Sequence, residues 1–204
     1  MSERRDRTPV PATTSVVDPA TWDPLGVSGS RHESVLFTDL DLSDLEERGA
    51  VFDGCTFRGI RFNASTHRDA AFTNCTFTGC NFFDARFTGC KLVGSTFDRC
   101  TFDLLMVEGG DWSWVGLSGA DLRKATFRSV RLREADLTGV RFEGATIRDT
   151  DLSSALLHGA SFHGADLRGS DVSALDPLQC DVRDALIDVE QAMVIAVALG
   201  LRIG

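Results

Sequence analysis

The chain has 204 residues, 43% of them apolar and 25% charged, with a formal net charge of −9. That length holds one repeat domain and its ends rather than two large domains. The acidity argues against a nucleic-acid ligand, whose phosphates select basic surfaces, and the lack of any run of 18 apolar residues excludes a membrane-spanning helix.

Residues 1–30 hold four of the five prolines and no apolar leader segment. They read as a mostly disordered N-terminal tail and not as a signal peptide. From Phe37 to Val172 every fifth residue is large and apolar, and only Glu47 and His67 break the rule. Of these 28 positions 26 are apolar, where average composition would give about 12. A period of five fits neither a helix nor a strand, so it marks a repeat architecture.

Two residues before each large position lies a second set that is nearly all small: Ala50, Cys55, Ile60, Ser65, Ala70, Cys75, Cys80, and later Ala120 to Ser170. Large and small residues alternating at a fixed offset fill a narrow interior without voids. A chain that turns inward twice in five residues closes a four-sided coil of 20 residues. Residues 31–187 therefore read as an all-β solenoid, a quadrilateral β-helix of about seven coils, roughly 34 Å long at the usual strand spacing. All six cysteines fall in the small register, at spacings that are multiples of five and not Cys-x-x-Cys, so they read as buried thiols and not as a metal or disulfide framework.

After Val172 the period fades into an Asp176-Pro177 turn. Asp188, with Gln191 three residues later, predicts a capped helix over 189–199 that Gly200 stops. This helix is apolar on all sides, so one face is expected to cap the last coil and another to meet a second copy. Residues 188–204 are assigned to a C-terminal helix and dimerisation segment, with Val189, Ala192, Met193, Ile195, Ala196 and Leu199 at the dimer interface.

The units GADLR (119–123), EADLT (134–138), DTDLS (149–153) and GADLR (164–168) resemble the Ala-Asp/Asn-Leu-x-x unit of the pentapeptide-repeat family. DAAFTNCTF (69–77), LVGSTF (92–97), DLRKATF (121–127), RLREADL (131–137) and the C-terminal ALIDVEQAMVIAVALGL (185–201) are similar to its mycobacterial fluoroquinolone-resistance branch, the MfpA-like, Qnr-like group. The unbroken phase excludes the inserted loops of Qnr proteins. The resemblance implies a right-handed quadrilateral β-helix and a cytoplasmic homodimer joined through its C-terminal ends. It further implies an acidic rod that mimics DNA in the DNA-binding saddle of DNA gyrase, inhibiting the enzyme or protecting it from fluoroquinolones, with a small GTPase as an implied partner. It transfers no individual contact residue.

Residues 20 apart share a face, so charge can be mapped in advance. Arg48, Arg68, Thr88, Glu108, Arg128, Arg148 and Arg168 form one largely basic column, read as the face turned away from gyrase. Asp98, Asp103, Glu108 and Asp111 form an acidic belt over four successive sides. Asp136, Asp151, Asp166 and Asp171 lie nearer the expected dimer junction, together with Asp181 and Asp184. The first eight of these acids are the candidate gyrase-binding residues; the competing reading of the repeat aspartates is a solvated, turn-stabilising role. Trp112 is expected inside, Trp114 and Phe83 outside, and His158 and His163 on diverging faces. His67 reads as an interior histidine. No Ser-His-Asp constellation, phosphate loop, metal site or cofactor site is expected, and the chain reads as a non-enzyme. The alternative function is a general protein-binding scaffold.

Overall fold

The computed structural model describes residues 12–17, 23 and 26–204. The remainder of the expected tail, residues 1–11, 18–22 and 24–25, lies outside the described residues. The chain forms a parallel β-solenoid in which each residue pairs with the residue 20 positions on, as in Phe37↔Phe57 and Phe52↔Phe72. Four faces result. The first carries strands Arg31–Glu33, Val51–Asp53 and Ala71–Thr73 and continues through bridges at Lys91, Asp111, Arg131, Asp151 and Asp171. The second runs from Ser15–Val16 through Val35–Thr38, Thr56–Arg58, Thr76–Thr78 and Thr96–Asp98 to bridges at Gly116, Asp136 and Leu156. The third is built from bridges alone, at Asp41, Arg61, Asn81 and Thr101 and again at Asp121, Arg141, Ser161 and Asp181. The fourth is a six-stranded ladder from Glu46–Arg48 to Thr146–Arg148, extended by bridges at Asp166 and Leu186. Ser15–Val16 pairs with Val35–Leu36, so part of the N-terminal segment covers the first coil's open edge. Val27 is buried in the register of Glu47, on the fourth face.

The large register forms the core. Phe37, Phe57, Phe77 and Phe97 stack at 4.9, 4.8 and 4.7 Å, and neighbouring columns meet edge to face, as Phe52 and Phe57 do at 5.3 Å. Both arrangements suit the aromatic quadrupole, each pair contributing about 0.5–1.5 kcal/mol beyond its area. Above Trp112 the columns become leucine-rich. The small register does more than leave room. Cys75, Cys80, Cys90 and Ser95 each donate to the carbonyl of the large residue 23 positions earlier, Phe52, Phe57, His67 and Phe72, at 3.5, 3.5, 3.3 and 2.6 Å. A thiol or hydroxyl there supplies these inward carbonyls with a side-chain donor that alanine lacks.

One coil is irregular. On the third face Phe62 N–H and Phe82 N–H donate to Asn81 and Thr101 carbonyls, at 2.7 and 2.9 Å, but the next rung, from Phe102 to Asp121, is missing. The rungs expected from Arg99, Leu104 and Asp121 are missing too, and no bridge joins Thr101 to Asp121. Phe97, Cys100 and Ala120 are only partly buried at this seam. Trp112, 1% exposed, stands in the adjoining first-face column between Leu92 and Leu132, with its indole parallel to Phe97 at a centroid distance of 6.4 Å. An indole in a column that otherwise holds leucine is the overpacking expected to part the coils on the opposite wall.

The chain ends in the helix α1, Val189–Ala198. Asp188 accepts from Gln191 N–H at 2.9 Å and Gln191 Oε1 accepts from Asp188 N–H at 2.9 Å, a complete capping box. At the other end Leu201 N–H donates to Ala196 O and Gly200 N–H to Val197 O, closing a Schellman motif.

Candidate protein-binding surfaces

The repeat aspartates are first of all turn residues. Asp111, Asp136, Asp151 and Asp171 each accept from the backbone N–H two residues on, at 3.0, 3.1, 2.9 and 2.9 Å, and Asp166 does so at 3.3 Å. This is the local turn chemistry of aspartate at a tight corner. The second carboxylate oxygen distinguishes them. Asp166 is engaged by Arg168 at 2.8 Å, and hydrogen bonds from that guanidinium hold its carboxyl below the ordinary range. Asp111 is engaged by Arg131 at 2.9 Å; burial pushes its carboxyl up, but Ser113 and Arg131 outweigh that and leave it lowered. Asp98 pairs with Arg99 at 3.2 Å. Asp103, Glu108, Asp136, Asp151 and Asp171 have no cation within ion-pair reach among the described residues.

The belt acids lie on four different faces: Asp98 on the second, Asp103 on the third, Glu108 on the fourth and Asp111 on the first. No single flat partner reaches all four. By contrast, Asp151 and Asp171 are successive rungs of the first face and Asp136 lies on the adjoining second face. These three carboxylates, none in an ion pair although Arg131 is the rung before Asp151, lie over three successive coils in the half of the rod that leads to α1. The arginine column is real: Arg48↔Arg68 and Arg128↔Arg148 are paired rungs of the fourth face, opposite the second. Such like-charge pairing is unfavourable, and Asp69 beside Arg48 and Asp166 beside Arg148 offset it.

At the C-terminal end, α1 is fixed to the last coil by a polar anchor and not by the expected apolar face. Gln191 is its one buried residue, and its side-chain amide donates to the Leu167 and Ser170 carbonyls at 2.6 and 2.8 Å. Of the six residues assigned to a dimer interface, Val189, Ala192, Met193 and Leu199 are exposed, while Ile195 and Ala196 are half-buried. Val194 and Val197, not among those six, are exposed as well. A helix that shows Val189, Met193, Val197 and Leu199 to solvent leaves an apolar surface uncovered.

Trp112 is inside, and Trp114 and Phe83 are outside, as their positions in the repeat require. Trp114 donates to Glu134 at 2.9 Å. His158 and His163 diverge, one bonded to Gln179 and the other facing Asp184. Among the described residues no cluster of side chains suits a metal ion, and no helix is long and apolar enough to cross a membrane. The six cysteines are free thiols, and burial pushes Cys90 up to about 12. One expectation fails: a serine–histidine–carboxylate line does assemble, inside the rod. Ser65 Oγ lies 3.0 Å from His67 Nε2, and His67 Nδ1 lies 3.0 Å from Glu47 Oε1. The two exceptions to the apolar rule are 20 residues apart and therefore stacked; that spacing was the available signal.

Pentapeptide-repeat family models match residues 48–96 and 114–173. The interval between them contains Phe97, Cys100, Phe102 and Trp112 from one side of the seam, while Ala120 and Asp121 on its other side fall within the second match. No curated protein sequence matches the chain. Among solved structures, a trypsin-treated variant of QnrB1, a plasmid-mediated fluoroquinolone resistance protein, covers 94% of this chain and 96% of its own at 17% identity and a TM-score of 0.50. Full-length QnrB1 covers 92% and 95% at 20% identity with a TM-score of 0.33. The pentapeptide-repeat protein Rfr23 from the cyanobacterium Cyanothece 51142 covers 73% and 88% at 15% identity with a TM-score of 0.34. With its repeat, its parallel solenoid and both family matches in agreement, the chain belongs to the pentapeptide-repeat family.

Proposed function

We propose that this protein is a DNA mimic that binds DNA gyrase as a homodimer joined through α1, inhibiting the enzyme or protecting it from fluoroquinolones. The observation that carries the reading is the group of carboxylates without an ion-pair partner, Asp136, Asp151 and Asp171, on two adjoining faces of the half of the rod that ends in an uncovered apolar helix. Two copies joined at α1 double that group on one continuous rod. A surface shaped for a duplex is basic and selects negative charge. A stiff rod loses little entropy on docking, and parallel ladders on four sides stiffen this one. The likeness to QnrB1 supports the fold on which this reading stands.

The test is gyrase supercoiling of relaxed plasmid with purified protein, with and without ciprofloxacin. Micromolar protein should reduce supercoiling or reduce drug-stabilised cleavage. Asp136→Asn, Asp151→Asn and Asp171→Asn together keep the turn-forming side-chain oxygen and remove the charge; they should weaken the effect about tenfold or more. Val197→Asp should give a monomer by sedimentation and abolish the effect. Wild-type protein without influence on either reaction would refute the reading and leave a scaffold for another protein partner.

A further inference from the structure

We infer that Glu47, His67 and Ser65 form a register lock, a polar device that fixes which coil stacks on which in the N-terminal half of the rod. The inference is independent of the proposed function.

The need for a lock follows from the repeat itself. Between Phe52 and Phe102 every large inward residue is phenylalanine except His67 and Leu92. Slipping one coil moves every residue by 20 positions, which preserves the inward and outward pattern, the large and small registers, and the aromatic stacks. Hydrophobic patterning fixes a strand's face but not its coil. The lost burial of an expelled coil opposes any slip whatever its sequence, but among the inward contacts only a chemically distinct group tells one coil pairing from another.

The three residues supply that distinction. Glu47 is 4% exposed, His67 1% and Ser65 0%. In the native ladder Glu47 pairs with His67. After a one-coil slip Glu47 would face Phe87, the native neighbour of His67, and a buried carboxylate would have lost its partner from the adjoining coil. A buried ionisable pair is a weak source of stability, and setting register is its best-attested use.

The geometry also excludes a catalytic reading. Ser65 Oγ gives its one hydrogen to the Phe62 carbonyl at 2.8 Å. With that hydrogen committed, the contact at 3.0 Å to His67 calls for the tautomer that carries its proton on Nε2 and donates into the serine oxygen, the reverse of the polarity that activates a nucleophile. His67 Nδ1 and Glu47 Oε1 must hold one further proton between them at 3.0 Å, and Glu47 Oε2 accepts from Ala50 N–H at 3.2 Å. Every polar atom of the cluster is matched. The void of about 10 Å³ that Glu47 and His67 share with Val27, Leu42, Leu45 and four phenylalanines is too small for a substrate.

The test compares wild type with Glu47→Leu and with the double variant Glu47→Leu/His67→Phe, which restores the apolar rule. All are refolded from urea and digested briefly with trypsin. A slipped molecule must expel one 20-residue coil as a loop, which frees from the ladder the backbone beside Arg48, Arg58, Arg61 and Arg68, whose side chains are exposed in the native coil as well. Wild type should refold to one resistant species. The double variant should keep a urea midpoint at or above wild type, yet at least about a tenth of it should be cut between Arg48 and Arg68 and show two populations by hydrogen exchange. Glu47→Leu, which leaves His67 bonded to Ser65, should show the same cleavage. Refolding of both variants to one resistant species would overturn the lock. So would a double variant that fails to fold, because the pair would then be a source of stability and not of register.

Discussion

Gly110 occupies a small-register position between Cys90 and Val130, where the rest of the column carries side chains. Its φ is +94°, and a Cβ built there would fall on the Cys90 carbonyl oxygen and lie 2.9 Å from the Cys90 nitrogen. The obstacle is backbone, fixed in the ladder by the bond from Asp111 N–H to Cys90 O at 3.0 Å, so it cannot rotate away. Gly110→Ala adds a left-handed penalty of about 1–2 kcal/mol to an overpacking cost of about 1–3 kcal/mol. The sum, about 2–5 kcal/mol, should lower the melting temperature by roughly 4–20 °C for a chain of this length. Gly139 is the matched control: its φ is +65° and no atom lies within 4 Å of the built Cβ, so Gly139→Ala carries only the first cost. Both variants are to be melted and urea-unfolded by far-UV circular dichroism. A Gly110→Ala stability within about 0.5 kcal/mol of Gly139→Ala, the usual spread of surface substitutions, would refute the claim that the coil bearing Trp112 is held against Cys90 by the absence of a side chain.

Gln191→Ala removes a cap and two bonds to buried carbonyls; the cost should be about 1.5–4 kcal/mol, seen as loss of hydrogen-exchange protection in α1 before the coils open. Arg183 hydrogen bonds hold the Asp181 carboxyl well below the ordinary carboxylate range; Arg183→Ala should raise it toward 3.8 in an NMR titration. Because the folded value is the depressed one, this pair's stabilisation is present above the unfolded value and is lost as pH falls below it toward the folded value, so the variant should flatten acid unfolding only below about pH 4. Trp112→Leu should close the seam: Cys100 alkylation by iodoacetamide should slow several-fold while that of Cys180 stays unchanged, and equal rates at Cys100 in the two proteins would remove the indole as the wedge.

The fold was legible because a thin interior admits few exceptions. Each inward slot between Phe37 and Val172 is closed on all sides by its own coil and its neighbours, so the apolar rule survives in the sequence with almost no noise. The capping box at Asp188 and Gln191 was legible for the same local reason, since its two partners are three residues apart. What eluded the sequence depends on volumes and rotamers. Trp112 satisfies the apolar rule as well as leucine does, and only its size, set against Phe97 and the rungs missing at Phe102 and Asp121, makes it a wedge. Asp136 and Asp166 are the same residue at the same position of their repeats, yet one keeps a free carboxylate and the other is closed by Arg168. The difference is the residue two positions on, Thr138 in one case and Arg168 in the other, so this part was legible in the sequence once each aspartate was read with its i+2 neighbour. Glu47 and His67 lie between these cases. Scanned one by one they are two defects in the period of five; scanned at the coil length of 20 they are one pair, and the pair is visible without coordinates.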